Sequence, residues 1–429
     1  MLRYCCRVLE GNKQLSPEYL VRSLKEHGTS AFFGMPDYYL CSLTSYLADH
    51  TAAGEYVIAT NCGNAMAMAA GHYLSTLRAP CVFMQNSGIG DSMNPLLTLF
   101  NQDAYRMPCF MLISWRGKLD TADESVKPGL AAQGRLTEQC LTAVGIPYAI
   151  MGSSLDVEMS WDVTVDKAYH HLSSERTPFA VLLEPGTLAP YMQRRPDEDT
   201  LPTAPLDHDA VANQVCRQFN PTDAFVCSCG SVQESLRRAR AMISGDTAAQ
   251  DLLLADSPGH TAGVATGIAL SRPSLQVVCI EGDGAALVHL NAMTTNGGLK
   301  AMQNATTGAG LLQNFKHIVV NDGCYSMEGG QITSAFDASL TGMAKACGYF
   351  AVREEPVIEL GDLVSALAEL RQCDGPAFLE VVVSKRRSLP ADGKVRRNLQ
   401  AEKRRFSEFL NRPDALPCAR VPALADYTK

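Results

Sequence analysis

Two acidic turns in the second half of the chain could bind a metal ion together with phosphate. Asp283 follows the apolar run 275–280, and Asp322 follows the apolar run 318–320. Runs of Val, Ile and Leu that stop at Gly and acidic residues are typical of buried parallel strands, and open α/β sheets bind ligands where such strands end. Carboxylate oxygens suit Mg²⁺, which usually binds together with substrate or cofactor phosphates. The sequence therefore predicts a metal-diphosphate site.

The composition indicates a globular protein of two domains. The chain has 429 residues, of which 46% are hydrophobic and 19% are charged. One hydrophobic core rarely serves so long a chain. The net charge of −8 disfavours a general nucleic-acid binder, and no apolar run is long enough to span a bilayer.

The cysteines and the first residues bear on the compartment. The fifteen cysteines are scattered and lack the paired spacing of a zinc site. No secretory signal is evident, so we expect reduced thiols in a cytoplasmic protein. The first residues are basic and no acidic residue precedes Glu10, which leaves a mitochondrial location as the alternative.

The two halves of the chain repeat one order of elements. A helix of small residues, a strand and a polar Gly-containing turn follow one another at 63–71, 81–84 and 85–88, and again at 259–267, 275–280 and 281–284. This repeat predicts an α/β protein with two similar doubly wound parallel-sheet domains and no central third domain.

The domain boundaries are expected where the apolar periodicity stops. The predicted segments are a flexible N-terminal extension (1–15), a first domain (16–185), a Pro- and Asp-rich linker (186–209), a second domain (210–385) and a basic tail (386–429) with one helix at 399–410. The Gly-, Thr- and Gln-rich piece 302–313 is predicted to be a lengthened loop beside the site. The basic clusters of the tail are typical of a solvated segment, with a nucleic-acid patch as the alternative.

An ordered set of motifs resembles the thiamine-diphosphate-dependent decarboxylases, and among them phosphonopyruvate decarboxylase. The motifs are Gly34-Met-Pro-Asp, Asn61-Cys-Gly-Asn, Gln85-Asn-Ser-Gly, Ser114-Trp-Arg-Gly, Gly259-His, Gly282-Asp-Gly, Asn321-Asp-Gly and Glu328-Gly-Gly-Gln. Gly-Asp-Gly alone is weak evidence, whereas the ordered set is specific. The similarity runs from about residue 16 to about residue 410.

The resemblance implies a fold, a cofactor and a reaction. Family members have an N-terminal pyrimidine-binding domain and a C-terminal diphosphate-binding domain. Thiamine diphosphate lies between the first domain of one subunit and the second of another, so a homodimer or larger assembly is expected. The implied reaction is the non-oxidative loss of CO₂ from 3-phosphonopyruvate, which gives phosphonoacetaldehyde. Sulfopyruvate decarboxylases are close relatives, and the sequence does not separate these two small anionic 2-oxo acids.

Matched residue by residue, the resemblance also implies the ligands of the cofactor. Asp283, Asp322 and the backbone carbonyl of Cys324 would hold Mg²⁺. Asp322 stands where the family usually has Asn, and a carboxylate still binds this ion. The cofactor-binding set comprises Gly259, His260, Gly282, Asp283, Gly284, Ala285, Asp322, Cys324 and Tyr325.

Two positions depart from the family pattern. The family has a Glu that hydrogen-bonds the aminopyrimidine ring and activates the cofactor, and this chain has Cys62 there. A thiol is a weak donor, so Cys62 is a lost catalytic position, a modified one or a plain buried thiol. Leu130 stands where the family usually has a His. An alternative hypothesis is therefore a paralogue with impaired catalysis.

Two further interpretations stay open. Asp37 follows a Pro in a predicted turn, where it either contacts substrate as a catalytic residue or caps the turn. A dinucleotide-dependent oxidoreductase is the third hypothesis, but no G-x-G-x-x-G follows the relevant strand.

Overall fold

The computed structural model divides the chain into two units, each built on one parallel sheet. It describes residues 13–118, 128–193, 204–244, 249–255, 257–303, 308, 310–326, 328–385 and 397–412. The first unit contains the described residues of Met1–Leu201 together with those of Gly323–Thr333, and the second unit contains the remaining ones. Residues 119–127, which precede Pro128, and residues 304–307 and 309 of the 302–313 piece lie outside the described residues.

The first unit has six parallel strands in the order β2-β1-β3-β4-β6-β5. The strands are β1 (Phe32–Gly34), β2 (Tyr56–Ile58), β3 (Cys81–Gln85), β4 (Phe110–Ser114), β5 (Tyr148–Met151) and β6 (Phe179–Leu183). The described helices are α1 (Pro17–Glu26), α2 (Cys41–His50), α3 (Cys62–Thr76), α4 (Gly88–Pro95), α5 (Pro128–Ala143) and α6 (Val157–Ser174).

The second unit has six parallel strands in the order β11-β12-β10-β9-β7-β8. The strands are β7 (Ala224–Cys227), β8 (Asp251–Leu253), β9 (Val277–Gly282), β10 (Phe315–Asn321), β11 (Phe350–Ala351) and β12 (Ala377–Val382). The described helices are α7 (His208–Gln218), α8 (Ser231–Ser244), α9 (Thr261–Ser271), α10 (Asp283–Val288), α11 (Asn291–Lys300), α12 (Leu340–Ala346), α13 (Leu360–Gln372) and α14 (Leu399–Leu410).

Both sheets follow the same path, which confirms the predicted pair of similar doubly wound domains. In chain order within each unit, the second strand lies at one edge and the fifth at the other. Each sheet is buried on both faces: in β9, Val278 and Ile280 belong to one apolar cluster, and Val277 and Cys279 belong to another. Successive side chains of a strand point to opposite faces, so a strand covered on both sides must be apolar throughout.

The structure differs from the sequence-based expectations in the grouping of one segment. The segment Gly323–Thr333, grouped with the second domain by sequence, belongs to the first unit. Its Gln331 side chain donates to Thr44 Oγ1 at 2.5 Å, a contact that sequence spacing alone does not reveal.

Two further observations concern the described part of the chain. None of its helices has both the length and the apolar character needed to cross a membrane. No disulfide bond joins its cysteines.

A buried ion pair gives a direct test of the second unit. Arg240 on α8 donates to both carboxylate oxygens of Asp251, at 3.0 and 3.2 Å, and both side chains are buried. Because Arg240→Ala leaves a carboxylate buried without its cation, we expect a loss of about 3–5 kcal/mol in the free energy of unfolding by urea.

The matched control is Arg237→Ala on the same helix, which removes the more exposed pair with Glu234. This change should cost about 1 kcal/mol or less. Equal losses for the two variants would contradict the assignment.

Candidate active site

The carboxyl ends of β9 and β10 bring two carboxylates to one edge of the second sheet. The strands pair in parallel so that Gly282 lies opposite Val320. Asp283 is the next residue after Gly282, and Asp322 lies two residues after Val320; the two side chains are 2% and 4% exposed. Their position is compatible with the metal-ligand role predicted for both residues, since hard carboxylate oxygens converge at the strand ends.

A histidine that the sequence analysis missed lies beside Asp322. His208 is the first residue of α7, and its Nε2 is 3.6 Å from Asp322 Oδ2, with both side chains buried. An imidazole at this distance either adds positive charge or offers a ring nitrogen to the carboxylate. No local signal marks His208, because only the fold brings α7 to the end of β10.

The helix after β8 begins at the same edge of the sheet. Gly259 has φ +82°, and a Cβ there would lie 2.7 Å from Cδ2 of His289, so only glycine fits. His260 is the N-cap of α9, and its ring packs on His289 at 4.6 Å. The two predicted residues therefore lie at a helix start, where backbone N–H groups can bind an anion.

Two buried hydroxyl groups at this edge lack a hydrogen-bond partner in the described part of the chain. They belong to Thr261 and Ser231, the first residues of α9 and α8. Buried polar atoms are nearly always paired, so unpaired hydroxyls are donors available to a ligand. A Cβ built at Gly282 would meet only Val320 O, at 3.9 Å, so the turn before α10 is open. These residues fit a phosphate-bearing group with its metal ion.

A buried carboxylate–imidazole pair precedes the Asp283 turn. Glu281 Oε1 lies 2.8 Å from His317 Nε2, and the two residues are 2% and 1% exposed. The Sγ of Cys279 lies within 4.8 Å of ligand atoms of both. The pair links β9 to β10 immediately before the turn, in a core where removing one partner is costly.

The other predicted cofactor residues lie in two places. Gly284 and Ala285 form the first turn of α10 and are half-buried. Cys324 and Tyr325 belong to the first unit, where Cys324 is 4% exposed. The metal-ligand role of the Cys324 carbonyl and the cofactor contact of Tyr325 remain predictions.

In the first unit, Asp37 is the centre of a buried hydrogen-bond network. Its carboxylate accepts from Tyr39 N at 2.9 Å and from Ser114 Oγ at 2.7 Å. Arg116 Nη1 donates to the other oxygen at 3.3 Å. Asp37 is 1% exposed. Asp37 therefore caps the turn, as one of its two interpretations predicted, and its catalytic role remains a prediction.

Arg116 connects Asp37 to two more of the sequence motifs. Its Nη1 donates to Gln85 Oε1 at 2.8 Å and lies 3.8 Å from Glu328 Oε2. Glu328 also accepts from Tyr38 N at 2.7 Å. Arg116 and Glu328 had no predicted role. Because a buried carboxylate needs a cation nearby, Arg116 could have been predicted as the partner of Asp37.

Close backbone packing fixes the turn that carries Arg116. A Cβ at Gly117 would lie 2.0 Å from Leu130 O, and a Cβ at Gly134 would lie 2.0 Å from Gly117 O. Trp115 Nε1 donates to Gly134 O at 2.9 Å. Leu130 is buried and apolar, so it offers no proton donor at the position where the family usually has His.

Cys62 is the first residue of α3 and is 4% exposed. The pKa of its thiol is raised well above the ordinary value, mainly by burial and then by the charges of Asp91 and Asp37. The thiol is therefore neutral near pH 7 and cannot replace a carboxylate in proton transfer.

Two protein-family models match the chain. The N-terminal TPP binding domain of thiamine pyrophosphate enzymes matches residues 17–139, and the C-terminal TPP binding domain matches residues 253–381. Thiamine pyrophosphate is another name for thiamine diphosphate. The first matched region lies in the first unit and includes Cys62, and the second lies mainly in the second unit and includes Asp283 and Asp322.

Curated relatives extend this similarity over nearly the full length. Phosphonopyruvate decarboxylase of Streptomyces hygroscopicus is 27% identical over 418 residues, which cover 93% of this chain and 95% of that protein. The protein of the same name from Streptomyces viridochromogenes is 28% identical over 412 residues, with coverages of 92% and 95%. The sulfopyruvate decarboxylase subunit alpha of Methanococcus maripaludis is 28% identical over 134 residues, which cover 30% of this chain and 74% of that subunit.

A solved structure, the benzoylformate decarboxylase of Polynucleobacter necessarius, aligns with 87% of this chain and 99% of its own, at 11% identity and a TM-score of 0.35. The two family models together match more than half of the residues, and the full-length relatives are decarboxylases. The chain therefore belongs to the thiamine-diphosphate-dependent 2-oxo acid decarboxylases, a family of carbon–carbon lyases.

Proposed function

We propose that the protein removes CO₂ from 3-phosphonopyruvate and releases phosphonoacetaldehyde, with thiamine diphosphate and Mg²⁺ as cofactors. The observation that carries this proposal is the likeness to two phosphonopyruvate decarboxylases over more than nine-tenths of both chains. The proposed active species is a homodimer or a larger assembly.

The second unit supplies residues suited to the charged end of the cofactor. Asp283 and Asp322 would hold the metal ion. The hydroxyls of Thr261 and Ser231, which lack partners among the described residues, would donate to the diphosphate. When bound, the cofactor's thiazolium accepts the electrons that are left when CO₂ departs.

Sulfopyruvate is the second candidate substrate. The 134-residue match to a sulfopyruvate decarboxylase subunit supports it. Sulfonate and phosphonate are both tetrahedral anions that accept hydrogen bonds from the same donors. The proposal favours phosphonopyruvate because the match to those decarboxylases covers both units.

An impaired paralogue is the alternative to an active enzyme. The neutral, buried thiol of Cys62 and the apolar side chain of Leu130 support it. General acid–base groups contribute about 10²–10⁴-fold to a rate, so an uncompensated loss would leave little turnover.

The first test is the reaction itself. Purified protein, supplied with thiamine diphosphate and Mg²⁺, should convert phosphonopyruvate to phosphonoacetaldehyde, measured by coupling the aldehyde to an NADH-dependent reductase. The same assay with sulfopyruvate should give a lower kcat/KM. A higher kcat/KM for sulfopyruvate would reverse the substrate assignment, and no turnover of either acid would favour the impaired paralogue.

The second test concerns the metal carboxylates. Asp322→Ala should weaken the binding of thiamine diphosphate in Mg²⁺ by at least about 100-fold, because even indirect partners of a metal site contribute 10–100-fold. Quenching of intrinsic fluorescence gives the affinity.

Asp337→Ala is the control, since Asp337 is an exposed carboxylate of the same unit. Its affinity should match that of the unmodified protein. If Asp322→Ala retained the affinity of this control, the metal assignment would be wrong.

A further inference from the structure

Helix α4 packs directly against the start of α3, where Cys62 lies. A Cβ built at Gly88 would lie 2.4 Å from the Cys62 Sγ, so glycine at this position lets the two helices approach. A Cβ built at Gly63 would lie 2.8 Å from the backbone oxygen of Asp91. Two separate contacts therefore bring the Gly88–Asp91 turn of α4 against the first turn of α3.

Asp91 lies on the same face of α4 as Gly88, the residue that packs against Cys62. Gly88 and Asp91 are three residues apart, and residues at this spacing lie on the same face of a helix. The negative charge of Asp91 raises the pKa of the Cys62 thiol more than the charge of Asp37 does. Asp91 is exposed, and no side chain in the described part of the chain donates a hydrogen bond to it.

The two carboxylates near Cys62 differ in their exposure and in the hydrogen bonds that they already accept. Asp37 is 1% exposed and already accepts hydrogen bonds from Ser114, Tyr39 and Arg116. Asp91 is exposed and accepts no such hydrogen bonds in the described part of the chain, so of the two carboxylates it is the more open to a further hydrogen bond.

We propose that Asp91 supplies the carboxyl group that hydrogen-bonds the aminopyrimidine of thiamine diphosphate, in place of the Glu that is absent at position 62. The inference rests on the proposed function, since it concerns the same cofactor. In this chain the carboxyl group would come from the neighbouring helix α4 and not from the first turn of α3. Cys62 and Gly88 pack closely where the two helices meet. A chain with Cys62 then keeps an acid–base group for the pyrimidine.

The test is the exchange of the C2 hydrogen of bound thiamine diphosphate for deuterium, followed by NMR after acid quench in the absence of substrate. The unmodified protein should accelerate this exchange over the free cofactor. Asp91→Asn should slow it by about 10²–10⁴-fold. Adding Cys62→Glu to Asp91→Asn should restore exchange, because it returns a carboxyl group to the first turn of α3.

Asp103→Asn is the control, an exposed Asp of the same unit that is not among the charges that raise the pKa of Cys62. It should exchange at the unmodified rate, and all variants should have the same thermal midpoint. If Asp91→Asn also exchanged at the unmodified rate, the inference would be overturned.

Calorimetry with thiamine diphosphate separates the two proposals. Binding without accelerated exchange in the unmodified protein overturns the role of Asp91 but leaves cofactor binding intact. No binding overturns the proposed function and the inference with it. Binding with fast exchange that depends on Asp91 supports both.

Discussion

The parallel pairing of β9 with β10 is the constraint on which the proposed metal and diphosphate residues depend. A one-residue shift of this register would move either Asp283 or Asp322 away from the shared edge and turn its side chain to the other face. The buried pair of Glu281 and His317 links the two strands just before the turn. Removing one member would leave a polar group buried in an apolar core, so the pair opposes any such shift.

The first unit uses its charged residues in a different way. Asp37, Arg116 and Glu328 form one network in which each carboxylate shares the same guanidinium. Glycines at close backbone contacts fix the turn that carries Arg116. Asp91 on α4 lies outside this network and is an exposed carboxylate next to Cys62. Position 62, where Cys replaces the Glu of the family, therefore still lies beside an acidic residue.

Much of the fold could be predicted from the sequence because the strands are buried on both faces. Continuous apolar runs such as 277–280 identify such strands, and the repeated order of helix, strand and turn predicts two similar sheets. The helix Leu399–Leu410, predicted within the basic tail, is present in the structure. The placement of Gly323–Thr333 in the first unit could not be predicted, because it depends on long-range contacts of Glu328 and Gln331.

The candidate site was predictable only in part. Apolar runs that stop at Gly and acidic residues identify Asp283 and Asp322, and the start of a small-residue helix identifies Gly259, since these signals are local in the sequence. His208 and Asp91 carry no local signal, because only helix packing brings them to their neighbours.

Calorimetric titration of thiamine diphosphate into the unmodified protein tests whether the second unit holds this cofactor through a metal ion. We expect saturable binding in Mg²⁺ and its loss when EDTA removes the metal. Equal affinity in Mg²⁺ and in EDTA, or no binding in either, would contradict this expectation.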